Sequence, residues 1–224
     1  MADEKLYQSF IELGFENYLK DRGNGTIYQE AHMVKIDSFV KNLSAEQKKI
    51  LKDKTNKKKN ETHEQHNDVF HEINIACAFY DNIEFLPEKE NQRTPDFRSN
   101  NIFVEVKTIN NSIEERKRQE ELNEGSFCDI SPAFTEDEVE KIKKEYIDRI
   151  SKKFTDHINK AKEQLNSNGG HIWVVYAIDS PPKFHEKINK EIENKFDEII
   201  KKVQSENFCI RYISFEALRE KIAS

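Results

Sequence analysis

The sequence predicts an α/β domain, with a mixed central sheet flanked by helices and a helical N-terminal extension. Three observations carry that expectation. NIFVEVKTI (101–109) is a run of β-branched and aromatic residues and reads as a strand. HIWVVYAID (171–179) is apolar on both faces, as in the middle of a sheet. Segments of helical periodicity stand before, between and after these two runs.

In chain order, LYQSFIELGFENYLK spaces Leu6, Phe10, Ile11, Leu13, Tyr18 and Leu19 as a helix, which DRGNG breaks. Ser44 and Gln47 form a capping-box pattern that opens a short lysine-rich helix. Thr62 is expected to cap a helix running to about Tyr80, with Val69, Ile73, Ala76, Cys77 and Tyr80 on its buried stripe. IEFLP, PDFRS and NIFVEVKTI follow as strands. Residues 110–135 are polar and irregular. Thr135 with Glu138 is a second capping box, starting a helical stretch through SKKFTDHINKAKEQL with a break expected near Ser151. SNGG ends it, HIWVVYAID follows, and an amphipathic helix spans about Phe184 to Gln204. NFCIRYIS is the final strand, before a C-terminal helical turn.

The 224 residues suffice for one domain with a real core. No apolar run approaches the ~20 residues needed to span a bilayer, and MADEKLYQSF carries no signal-peptide pattern. Cys77, Cys128 and Cys209 are few, odd in number and far apart, which argues against a disulfide framework and predicts a cytoplasmic protein. Charged residues make up 35% of the chain, so the surface is heavily charged and the core economical. The net charge of −6 is unevenly distributed: residues 41–60 hold eight Lys against Glu46 and Asp53, which leaves about −12 for the remainder. That lysine run reads as a solvated helix face leading into a loop, or as a phosphate-tracking patch through Lys57, Lys58 and Lys59.

The chemistry concentrates in TPDFRSNNIFVEVKTI (94–109). Glu105 and Lys107 point to one face of their strand with Phe103 and Ile109, while Ile102, Val104, Val106 and Thr108 line the other. Burying an acid and a base costs several kcal/mol unless each is paired or put to use. Asp96 lies just upstream, and Glu72 sits at the edge of the preceding helix's apolar stripe. Two carboxylates from adjacent strands can converge on one hard, oxygen-seeking Mg²⁺, and a neighbouring Lys can orient water and stabilise charge on a phosphate.

Pro95-Asp96, eight residues, then Glu105-Val106-Lys107 resembles the signature of the PD-(D/E)xK nuclease superfamily, the restriction-endonuclease-like fold. That family's core is a helix, a three-strand meander, a second helix and a further strand, an order that residues 62–179 are expected to follow. The resemblance implies that Asp96 and Glu105 ligate Mg²⁺, with Mn²⁺ able to substitute. The Val106 carbonyl would add a ligand, Lys107 would be the catalytic lysine, and Glu72 would be the helix acid, reaching the same ion or a second one ~4 Å away. It also implies that the second helix, around His157, Lys160 and Gln164, flanks the cleft and contacts nucleic acid. The (D/E)-x-K tripeptide alone carries little weight, since it begins at Asp3, Glu46, Glu105, Glu115 and Glu193. Only the copy at Glu105 lies in a strand and follows Pro-Asp at short range. A branch of the family carries Gln-x-x-x-Tyr on the second helix. Here Gln164 is followed four residues later by Asn168, which leans towards an endonuclease.

The expectation is therefore a Mg²⁺-dependent endonuclease of restriction, defence or repair type. It would act on DNA rather than RNA, without a membrane, and a homodimer is plausible for double-strand cutting. Residues 1–60 would form the helical extension packed on the core, and 61–224 the nuclease-like domain. The alternative is a catalytically inactive protein of that fold acting through protein or nucleic-acid contacts, with Glu105 and Lys107 as an ion pair at the sheet edge. His63, His66 and His71 do not share one helix face and read as solvated or capping histidines rather than a zinc site, although His71 and Asn67 lie beside Glu72. His157 reads as an exposed helical histidine. Trp173 and Tyr176 read as core. Residues 110–135, rich in acids from Glu114 to Glu124, would overhang the site as a lid, a loop or a protein-contacting arm.

Overall fold

The computed structural model describes residues 7–15, 27–58, 63–88, 93–109, 136–177 and 182–224. Helices α1 (Gln8–Glu12), α2 (Ile27–Asn42), α3 (Ala45–Lys58) and α4 (His63–Phe79) lead into strands β1 (Ile83–Phe85), β2 (Phe97–Ser99) and β3 (Ile102–Ile109). Helix α5 (Glu136–Leu165), strand β4 (Gly170–Tyr176), helix α6 (Pro182–Val203), strand β5 (Phe208–Ser214) and helix α7 (Phe215–Ala223) complete the order. The strands lie side by side in chain order. β1, β2 and β3 are antiparallel, and β3, β4 and β5 are parallel. The chain is thus α/β with a mixed, open sheet, as its strand and helix signals predict.

Helices cover both faces of the sheet, which is why β4 is apolar on both faces and buried from Ile172 to Tyr176. The alternation of β3 assigns its residues to two cores. Val104 and Val106 join Phe10, Ile36, Leu51, Val69, Phe70 and Leu218 on the face covered by the N-terminal helices, α4 and α7. Ile109, with Phe103 packed alongside, joins Ile150, Phe154, Ile158, Ile192 and Phe196 on the face covered by α5 and α6. Each large apolar side chain taken fully out of water contributes about 1.5–3 kcal/mol, so both faces are substantial. Trp173 and Tyr176 are core residues, 4% and 1% exposed.

Three expectations are corrected. Helix α5 runs unbroken through Ser151. Its apolar stripe of Ile147, Ile150, Phe154, Ile158, Ala161 and Leu165 is continuous, and no Pro or Gly interrupts it. Ser44 does cap α3, its Oγ accepting the Gln47 N–H at 3.2 Å. The Gln47 amide, however, does not return to close the box. It accepts from the Phe85 N–H and donates to the Phe85 carbonyl, tying α3 to the edge strand β1. His71 is buried rather than solvated, with the Phe215 ring 5.0 Å and the Phe70 ring 5.6 Å away. The reason is that α7, from the far end of the chain, covers the side of α4 that looks polar in the sequence. His71 is therefore taken up by the core rather than presented to a substrate.

Gly169 and Gly170 mark the entry to β4. Both have positive φ, and a Cβ would strike the Asn207 carbonyl at the first and the Phe103 carbonyl at the second. Only glycine fits where β4 is drawn in between its two neighbours. The expected caps at Thr62 and Thr135, the ends of the first predicted helix, and residues 110–135 lie outside the described residues. So do Cys128 and the side chains of His63, His66 and Asn67. No described helix is long and apolar enough to cross a membrane.

Candidate functional site

Strand β2 is only three residues long, and this shortness opens the site. Phe97 pairs with Val104, and one more ladder bond runs from the Asp96 N–H to the Val104 carbonyl at 3.1 Å. Beyond it β2 ends while β3 continues to Ile109. At the next ladder position the Asp96 carboxylate takes over from the backbone, its Oδ2 accepting the Val106 N–H at 2.7 Å. In a strand the N–H and C=O of one residue project to the same side, so the Val106 carbonyl also faces this open edge.

An open cleft of about 340 Å³ lies over the unpaired edge. Asp96, Glu105, Val106, Lys107 and Thr108 form its floor. Asp68 and Glu72 of α4 form one wall, His157 and Gln164 of α5 the other, and Glu88, Arg93 and Thr94 its rim. The structure therefore brings Glu72, Asp96, Glu105, Lys107 and Gln164 to one cavity. Lys160 is exposed on α5 and does not line the cleft. Lys59 and the side chains of Lys57 and Lys58 lie outside the described residues. His157 is not simply exposed. It is half-buried on the cleft wall, and its Nδ1 is buried without a hydrogen-bond partner among the described residues.

Among the described residues, five carboxylates line the cavity with the two cations Arg93 and Lys107. This excess of negative charge shapes each ionisation. Glu105 is fully buried, with Oε1 2.5 Å from the Lys107 ammonium and Oε2 without a hydrogen-bond partner among the described residues. Burial, then the neighbouring Asp96, push its pKa well above the usual carboxylate range, more than Lys107 pulls it down. Burial alone would lower the pKa of Lys107, but Glu105 and Asp96 outweigh it and hold the group above its ordinary value. Lys107 therefore stays an ammonium at neutral pH. His157 moves the other way: burial, then Lys107 and Lys160, lower its pKa to about 4 and keep it neutral.

The sequence did not single out Lys54. It belongs to the lysine run of α3, yet it is 2% exposed and its Nζ lies 2.8 Å from Glu72 Oε2. The same ammonium stands 3.7 Å from Asp96 Oδ1 and donates to the Asp96 carbonyl at 3.1 Å. Burial works against its charge, but Glu72 and Asp96 more than compensate and raise its pKa. The signal was faint: Leu51, Lys54 and Thr55 stand at i, i+3 and i+4, so the one apolar residue of that helical face marks the side that turns inward.

The donor set is hard oxygen throughout: the Asp96 carboxylate, the unpartnered Glu105 Oε2 and the Val106 carbonyl. Mg²⁺ is commonly held by one or two carboxylates with waters and substrate phosphate, so these groups fit it. Among the described residues no three His, Cys, Asp or Glu side chains are grouped so as to enclose a metal by themselves. Comparison with family models, with curated proteins and with solved structures yields no match.

Proposed function

We propose that this cleft is the active centre of a metal-dependent phosphodiesterase, an endonuclease acting on DNA in preference to RNA, on a restriction-endonuclease-like core. The observation that carries the reading is Glu105: a fully buried carboxylate with one oxygen on Lys107 and the other without a partner among the described residues, beside Asp96 on an open strand edge. A burial this costly has a purpose if a cation completes it.

Asp96, Glu105 and the Val106 carbonyl would hold Mg²⁺, or Mn²⁺ in its place. The ion would neutralise phosphate charge and make water more acidic. The residues themselves divide the remaining work. Asp96, anchored on the Val106 N–H, fixes the strand edge against which a phosphate docks. Lys107, protonated, donates to a phosphoryl oxygen or holds the attacking water; it is a charge stabiliser, not a base. His157, neutral, stands on the opposite wall, and Gln164 offers an amide to the backbone of the bound strand. The acidic cleft repels a polyanion when empty, so nucleic acid would bind only after the cation.

The test is a cleavage panel over plasmid, linear duplex, single-stranded DNA and RNA with Mg²⁺ or Mn²⁺. We expect nicking of DNA that EDTA abolishes. Full activity in both Asp96→Ala and Lys107→Ala would end the assignment.

One observation favours a second reading. Glu72 and Asp96 are already satisfied by Lys54, and Glu105 by Lys107, as in a purely structural ion network. On that reading the chain is an inactive binding protein. Calorimetry separates the two, because only the nuclease reading requires Mn²⁺ binding that Glu105→Gln removes.

A further inference from the structure

The second buried lysine has no role in the reading above. Lys54 lies beneath the cleft, within reach of three oxygens from two cleft residues: Glu72 Oε2, Asp96 Oδ1 and the Asp96 carbonyl. That arrangement is a cation's coordination sphere with an ammonium at its centre. On the other side of Asp96 the chain also supplies an ammonium, Lys107 on Glu105 Oε1, but Glu105 Oε2 is buried with no hydrogen-bond partner among the described residues. The Lys54 half of the carboxylate cluster is thus filled by an ammonium held at three oxygens, while the Glu105 half keeps one buried oxygen open.

We propose that Lys54 is a built-in counter-cation that limits this site to a single divalent ion. The inference rests on the metal-dependent reading and goes beyond it by assigning Lys54 and fixing the number of ions. Without Lys54, Glu72 and the far side of Asp96 would form a second pair of hard-oxygen donors next to the first. Two divalent ions about 4 Å apart are a common arrangement for phosphodiester chemistry. With Lys54 in place, an ammonium occupies the position of a second ion and supplies half of its charge. Glu72 is then a positioning residue: it holds the ammonium that orients Asp96, while Asp96 and Glu105 face the ion. Because Lys54 belongs to α3, the N-terminal helices form part of the site rather than an appendage to it.

The experiment is a titration of the full chain with Mn²⁺, read by calorimetry and by the electron paramagnetic resonance of free Mn²⁺. It is run on wild type, Lys54→Met and Lys54→Arg, with thermal unfolding in parallel. We expect one Mn²⁺ in wild type, two in Lys54→Met, and a return to one in Lys54→Arg. A lysine that merely stabilised the fold would change the melting temperature but not the stoichiometry. If Lys54→Met unfolds in metal-free buffer, the proposal requires added Mn²⁺ to fold it, because the ion replaces the missing charge. Failure to refold overturns it. Two ions in wild type, or one in a folded Lys54→Met, also overturns it and leaves the metal-dependent reading standing. No Mn²⁺ bound to wild type overturns both.

Discussion

The two faces of the sheet are built to different rules. Under α5 and α6 the interior is aliphatic and aromatic except for Glu105 and Lys107 at its cleft edge: Phe154 stacks on Phe196 with centroids 3.8 Å apart, and Ile150, Ile158, Leu165 and Ile192 lie in the same cluster. On the opposite face, α2, α3 and α4 bury His32, Lys54, Thr55, His71, Glu72 and Asn74 among the phenylalanines. A dry core tolerates loss by shrinking, at a cost set by the cavity. A polar one depends on each partner being in place, because an unpaired buried charge costs more than a missing methylene. The contrast indicates that the α5–α6 face, apart from the Glu105–Lys107 pair at its edge, supplies stability, while the other face trades stability for a fixed arrangement of charge.

Four experiments can break or sharpen that division. The largest effect is expected at the cleft: Lys107→Ala should lower metal-dependent cleavage by roughly 10³-fold or more, the scale of losing one preorganised charge stabiliser. Because the substitution also leaves the buried Glu105 without its ammonium, the melting temperature should fall as well, and cleavage kinetics at a temperature where both proteins are folded, beside a thermal melt, check both. Next, Phe196→Ala should cost about 3–5 kcal/mol in urea unfolding yet leave Mn²⁺ affinity within about threefold. A folded Phe196→Ala that binds no Mn²⁺ would show that the two faces are not separable.

The third experiment is a pH series. His157 has an ordinary pKa of 6.5 and about 4 in the fold, so the unfolded chain takes up its proton first. Stability from this group is fully present above about 6.5 and is lost as pH falls through 4, by at most about 3 kcal/mol. Glu105 opposes it, because its raised pKa means that protonation on acidification relieves the fold. The difference between wild type and His157→Gln isolates the histidine, and equal acid limbs in the two would refute the assignment. The smallest effect is Ser44→Ala. Loss of the α3 cap should cost about 1 kcal/mol with cleavage unchanged at saturating metal.

Much of this was legible before any coordinates. The strands and their order followed from local signals, namely the β-branched run ending at Ile109, the two-sided apolar run at Ile172–Tyr176, and glycines at the joins. The placement of Glu72, Asp96, Glu105 and Lys107 around one cavity followed from strand alternation and one helix face. What escaped was decided by distant packing. His71 looked solvated because nothing near it in sequence reveals that α7 returns to cover it. Lys54 looked like one of eight similar lysines, and only the burial of Leu51 and Thr55 distinguishes it. Ser151 looked like a break, yet a continuous stripe on both sides of it overrides the weak propensity of one serine.

The side-by-side strand order has a consequence for how the chain assembles. As each strand is synthesised, its partner is already waiting at the growing margin, so the sheet can extend by simple accretion without inserting a late strand between two earlier ones. The N-terminal layer is different. Its aromatic cluster around Phe70 stays wet until α7, made after every strand, folds back over it and places Phe215 6.2 Å from that ring. The N-terminal layer, made before the strands, is therefore closed only after them, and the acidic cleft rests on an unfinished foundation until α7 is in place.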